Sequence, residues 1–202
     1  NELYECDDAN ACTMDDFCSV DGECAGVLIH WRFEEEYWDG TPLQVIDSAD
    51  MYHGTSQGDC YPIPDGKIGQ GGRFNTDSGG NVGQVETTYY IGANSRTMAF
   101  WIKFDYVTGA HQTVGSFSGA GKRFYLGIDT ANGVFAGYGN NYIGWSKPTV
   151  PSGMVADVWY RLVMTYDGEN AHVYINGVEK TSFPAIFNPV GIGPVFFLGT
   201  QE

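Results

Sequence analysis

An antiparallel β-sandwich is the fold this 202-residue chain predicts, and three observations carry the prediction. Residues Val158 to Lys180 contain three β-like runs, divided first by Asp167-Gly168-Glu169-Asn170 and then by Asn176-Gly177, a dipeptide suited to a two-residue type I′ hairpin turn. Within them Tyr160, Leu162, Met164 and Tyr166 fall on one face, as do Ala171, Val173 and Ile175, so each strand has a core face and a wetter one. Aromatics make up 15% of the chain and there are 28 glycines, which suits a sandwich with many tight turns. No segment of ten or more residues holds a 3.6-residue apolar period, which predicts almost no helix.

The chain opens on an acidic, cysteine-rich segment. Residues 1–24 hold eight carboxylates and no Lys or Arg, and Cys6, Cys12, Cys18 and Cys24 recur every six residues. So short a segment, poor in large apolar residues, needs covalent or metal staples to hold a shape. Structural zinc favours Cys pairs two to four residues apart. The wider spacing and the lack of a nearby His therefore favour two disulfides and an oxidising, extracellular or lumenal compartment, with three pairings open. Cys60, in Gly58-Asp59-Cys60-Tyr61-Pro62, is left over; it has a disulfide partner outside this sequence or it is a buried free thiol.

A boundary near Gly26 separates this segment, residues 1–26, from a larger unit, residues 27–202. Val27-Leu28-Ile29-His30-Trp31-Arg32-Phe33 reads as an opening strand, and residues 36–71 are rich in Gly, Pro, Asp and Ser and poor in strands. Strands then follow closely at Gly72 to Asn75, Thr87 to Ile91, Thr97 to Phe104, Gln112 to Phe117, Arg123 to Ile128 and Val134 to Tyr138. The turn Thr130-Ala131-Asn132-Gly133 joins the last two as a hairpin.

Charge and motifs exclude several functions. A net charge of −15 with ten scattered basic residues argues against a nucleic-acid partner. There is no run of 18 apolar residues for a membrane span and no signal-peptide core after Asn1, so the chain reads as a mature or excised fragment. Neither a Gly-x-Ser-x-Gly elbow nor a Gly-x-x-x-x-Gly-Lys loop is present, and His30, His53, His111 and His172 have no recognisable partner motif.

The meander resembles the Trp-x-x-x-x-x-x-Tyr-Asp-Gly … Tyr-x-Asn-Gly segment of laminin-G-like, concanavalin-A-like jelly-roll domains. Upstream motifs recur in that family's order: Val27 to Glu35 as its opening strand, Val45 to Gly54 as its Asp-Ser-x-Gly loop, Gly66-Lys67-Ile68-Gly69-Gln70-Gly71-Gly72-Arg73-Phe74 as its Gly-Lys-x-Gly strand, and Thr97 to Phe104 as its Phe-Trp-Val-Lys strand. The ordered set covers about residues 27–200. The N-terminal segment resembles small Cys-Asp-Asp-Gly-Asn-x-Cys-Thr modules, loosely epidermal-growth-factor-like, and that analogy implies an interleaved first-to-third, second-to-fourth pairing.

The resemblance implies an all-β jelly roll whose work is recognition or adhesion outside the cell, on glycans or proteins. The alternative is a structural subunit of a filament, appendage or matrix, and a glycoside hydrolase is a distant third. Glucanases of this fold need paired carboxylates on one strand face, as in Glu-x-Asp-x-x-Glu, and the chain has none; Glu34-Glu35-Glu36 is contiguous, which sends neighbours to opposite faces. The family also implies calcium near Asp47, Asp50 and Gly54, against the simpler reading that Asp47 closes an Asx turn. Glycan contacts are expected from Trp38 and from Tyr138, Asn140, Asn141, Tyr142 and Trp145, as aromatic rings beside amides. Family members continue past Phe196-Phe197-Leu198-Gly199 into a strand that returns beside the first. A strand from downstream or from a neighbouring molecule is therefore expected to pair near residues 28–33, which also offers a route to self-assembly.

Overall fold

The structure, a computed structural model, describes residues 14–18, 24–27, 29–50, 52–75, 82–88, 96–105, 112–119, 122–128, 133–140, 144–146, 149–185 and 195–199. All regular elements among them are strands, and every strand pairing is antiparallel.

Two sheets form the sandwich. The smaller has the order β15-β14-β13-β7, built from β7 (Arg96–Lys103), β13 (Trp159–Tyr166), β14 (Asn170–Ile175) and β15 (Val178–Pro184). The larger runs β11-β10-β9-β8-β16-β6-β3. Its strands are β3 (Thr55–Gln57), β6 (Gln84–Thr88), β8 (Gln112–Gly119), β9 (Lys122–Ile128), β10 (Gly133–Asn140), β11 (Gly144–Ser146) and β16 (Val195–Leu198), and β12 (Thr149–Pro151) pairs with β10. Two short hairpins stand apart from these sheets: β1 (Met14–Cys18) with β2 (Cys24–Val27), and β4 (Cys60–Ile63) with β5 (Gly71–Phe74).

The meander folds as its sequence predicts. Leu162, Met164 and Tyr166 oppose Ile175, Val173 and Ala171, so the alternating apolar residues of β13 and β14 meet on one face. They join Met98, Phe104, Val114, Leu126, Ile128, Phe196 and Leu198, contributed largely by the facing sheet, in the main core. The β14–β15 turn is made by Asn176 and Gly177 at φ 51° and 80°, the left-handed pair that a type I′ turn requires. Asn176 also accepts the Arg161 N–H through Oδ1 at 2.9 Å, which ties the turn to β13. The hairpin expected around Asn132-Gly133 is present as the β9–β10 ladder.

A second, smaller core lies under the loop-rich stretch and consists of Trp38, Val45, Cys60 and Val85, with Trp31, Phe33 and Phe74 packed against it. Here the sequence reading needs correction. The strand expected over residues 27–33 is not found among the described residues: β2 ends at Val27, and over residues 29–33 Trp31 makes an isolated bridge to Asp47. Trp31 and Phe33 bury their rings against both cores without their backbone joining a ladder among the described residues. On the neighbouring sheet, β7 pairs with β13 on one side and with no other described strand.

Candidate functional site

The outer face of the smaller sheet is where aromatic and cationic chemistry converges. Because Met98, Leu162, Met164, Ala171 and Val173 point into the core, the alternate residues of the same strands point away from it. Across β7 and β13 the register sets Trp101 opposite Arg161 and Lys103 opposite Trp159, a checkerboard of two indoles and two cations. Lys103 Nζ lies 5.3 Å from the Trp159 ring centroid. A third cation, Lys67, reaches in from the β4–β5 loop and places its Nζ 5.2 Å from the Trp101 ring. That loop is drawn tight by the Gly66 N–H donating to the Gly69 carbonyl at 3.0 Å.

Next along the face, Ala99 opposes Val163, which opposes Tyr174, so small side chains separate Trp101 from the next aromatic. His172 stacks on Tyr174 with ring centroids 6.4 Å apart and planes at 22°. Its Nδ1 lies 3.4 Å from Glu179 Oε1. The result is a shallow shelf with Trp101, 43% exposed, at one end and the His172–Tyr174 stack at the other. A flat face with one exposed indole, Trp101, and one half-buried, Trp159, suits stacking against an apolar ring face, and adjacent Arg and Lys can hold polar substituents.

The sequence-predicted residues lie elsewhere. Asp47 is 1% exposed, and its carboxylate accepts backbone N–H groups from His30 at 2.7 Å, Ala49 at 3.1 Å and Tyr52 at 2.9 Å. These bonds describe the Asx-type loop closure named beside the calcium role. The Asp47 N–H donates to His53 Nδ1 at 3.0 Å, leaving His53 Nε2 facing Asp50 Oδ1 at 3.2 Å. Gly54 exchanges two hydrogen bonds with Val45. Among the described residues no group of three or more His, Cys, Asp or Glu is placed to hold a metal.

Trp38 was expected as an exposed stacking ring and is instead 8% exposed. Phe33 and Phe74 pack on it at centroid distances of 5.2 and 6.1 Å, and its Nε1 donates to Glu35 Oε2 at 3.1 Å. Glu35 also accepts the Ile46 N–H at 2.8 Å, so this carboxylate organises a loop, while Glu34 pairs with Arg32 at the surface. Cys60 is a buried thiol without a disulfide to any described residue, and its Sγ lies 3.3 Å from both the Gln57 and Gln84 carbonyls. Burial raises its pKa above the ordinary thiol value.

Tyr138 and Asn140 lie on β10 opposite Ser146 and Gly144, whereas Trp145 pairs with Gly139, one register step out of line with Tyr138. Asn141 and Tyr142 fall outside the described residues, as do Cys6 and Cys12. Cys18 and Cys24 are register partners across the β1–β2 hairpin. The residues of the shelf were missed, although a signal for them existed. Trp159 and Arg161 occupy the phase opposite to the Tyr160, Leu162, Met164 and Tyr166 stripe, where a large aromatic and a cation have no role in the core.

With this geometry in view, residues 76–201 match the family described as the Concanavalin A-like lectin/glucanases superfamily, and the chain belongs to it. The fold is shared with domain 4 of an extracellular GH43 arabinanase from Geobacillus stearothermophilus, solved in complex with arabinotriose, at TM-score 0.62 and 20% identity over 77% of each chain. It is shared also with the binding domain of botulinum neurotoxin serotype C1, at TM-score 0.60 and 15% identity over 82% of this chain and 42% of that one. A third match, at TM-score 0.52 and 13% identity over 82% of this chain and 42% of that one, is a type C botulinum neurotoxin structure whose description ties cell entry to interaction with two ganglioside molecules. The chain thus spans under half the length of the toxin chains it resembles. At these identities the likeness is one of fold. A search of curated proteins by sequence returns no match.

Proposed function

We propose that this chain is a non-catalytic recognition module that binds glycans outside the cell through the outer face of the β15-β14-β13-β7 sheet. The observation that carries the reading is the exposed pairing of Trp101 with Arg161 beside Lys103 and Trp159, on a sheet whose other face is core. An indole this exposed costs apolar hydration that a core position would avoid, and a sugar ring stacked on it recovers part of that cost. The arabinotriose complex of one fold relative and the ganglioside interaction of another support a glycan as ligand. The extracellular setting follows from reading Cys6, Cys12, Cys18 and Cys24 as two disulfides.

The non-catalytic part rests on the carboxylates. Glu35 is engaged by Trp38 and Ile46, and Glu34 by Arg32, so the acidic triplet offers no free pair to flank a glycosidic bond. Screening the chain on immobilised glycans, followed by calorimetric titration of each hit, tests the reading. Trp101→Ala should weaken binding about tenfold while leaving the thermal midpoint near that of the parent. Failure to bind any saccharide, equal binding by Trp101→Ala, or release of reducing ends from a bound glycan would overturn it.

A further inference from the structure

We infer that the ligand of this face is an anionic saccharide, one carrying carboxylate or sulfate groups; the inference rests on the glycan-binding reading and sharpens it. The chain has a net charge of −15, and wherever a cation lies near a carboxylate the two tend to be used up on each other: Arg32 pairs with Glu34, and Arg73 with Asp105. Lys67, Lys103 and Arg161 break that pattern. None makes an ion pair among the described residues, and all three gather around Trp101 and Trp159. Asp105, the carboxylate just beyond the end of β7, is already held by Arg73 and does not neutralise them.

The spacing fits one or two sugar rings. Residues two apart on a strand are separated by roughly 7 Å and neighbouring strands by roughly 5 Å, so Trp101, Lys103, Trp159 and Arg161 outline a patch about the size of a pyranose and its substituents. Stacking on an indole sets the ring plane, and the guanidinium of Arg161 offers a planar fork matched to a carboxylate or sulfate at the ring's edge. Lys67 and Lys103 add point charges on either side. A neutral sugar would use the indoles and leave three cations without a counter-charge among the described residues. In a protein this acidic, such a local excess of positive charge also selects against most other polyanions, because the surrounding surface repels a long one.

The test is calorimetry of the full chain against length-matched oligosaccharides: oligogalacturonate for carboxylate, sulfated dextran oligomers for sulfate, and arabinotriose and dextran oligomers as neutral ligands, each at about 0.05 M and about 0.5 M NaCl. The expected result is that at least one anionic series binds about tenfold or more tightly than the neutral ones at low salt and loses most of that advantage at high salt. The tighter of the two series identifies the group recognised. Lys103→Gln and Arg161→Gln should each weaken the anionic series more than the neutral one and so reduce the anionic advantage, Trp101→Ala should weaken both series alike, and Arg32→Gln, away from this face, should change neither. Equal affinity for neutral and anionic series overturns this inference and leaves the glycan-binding reading standing. Absence of binding to every saccharide overturns both. Polyglutamate binding as tightly as the anionic sugars, undiminished in Trp101→Ala, also overturns the inference, because the patch would then be a general polyanion site.

Discussion

Gly54 approaches Val85 so closely that a Cβ built on it would stand 2.4 Å from Val85 Cγ1, and the same atom would lie 3.0 Å from the Trp31 ring. Both neighbours belong to the second core, and Gly54 is fixed in place by its two hydrogen bonds to Val45. Gly54→Ala should therefore overpack this region and cost about 1–3 kcal/mol. Urea unfolding checks it: the midpoint should fall with the slope unchanged, whereas an unaltered midpoint would mean that the loop yields freely.

Asp47 holds three backbone N–H groups through one buried carboxylate. Removing it in Asp47→Ala leaves those amides without their acceptor, at ~1–3 kcal/mol for each that stays buried and unpaired. A total loss of about 3 kcal/mol or more is expected. If the amide donors are all that this carboxylate binds, the loss should be the same in EDTA and in calcium. A stability difference seen only with calcium present would instead place the ion at this loop.

Cys60 is buried, and burial is the main reason its pKa rises above 9.0. The native thiol should thus react slowly with iodoacetamide at neutral pH and become reactive as denaturant unfolds the chain. The sign of the linkage follows: the folded state holds the proton more tightly, so this contribution is complete below pH 9.0 and is lost as pH rises through the folded value. Fast labelling of the folded protein at neutral pH would contradict the burial.

Asp167 has a lowered pKa because its carboxylate accepts the Asn170 and Glu169 N–H groups at 2.6 and 2.8 Å; nearby His172 lowers it less. Its contribution to the β13–β14 turn is present above the ordinary value of 3.8 and is lost as pH falls through the folded value. NMR titration of the side-chain carboxyl should show a midpoint below 3.8. In Asp167→Asn the turn should persist while the acid-dependent part of its stability disappears; a midpoint at or above the ordinary value would refute the turn assignment.

What the sequence determined by itself was local. The alternation of Tyr160, Leu162, Met164 and Tyr166, the Asn176-Gly177 turn and the run of β-rich segments after residue 95 all follow from period-two side-chain geometry and from the few residues that tolerate a positive φ. The structure reproduces each of these. The tertiary structure decided which aromatics are wet. Trp38 and Trp101 look alike in sequence, one beside a turn and one in a strand, but Trp38 is enclosed by Phe33 and Phe74 while Trp101 lies on the face of its sheet turned away from the core and is 43% exposed. Asp47 and Cys60 were placed in the same way, by amides and carbonyls from segments distant in sequence. The opening segment shows the same limit: its apolar run reads as a strand, yet a strand exists only where a partner supplies hydrogen bonds, and Trp31 obtains a single bridge. Exposure and pairing are properties of packed layers, so one strand's sequence carries the phase of its two faces but not which of them the rest of the molecule leaves open to a ligand.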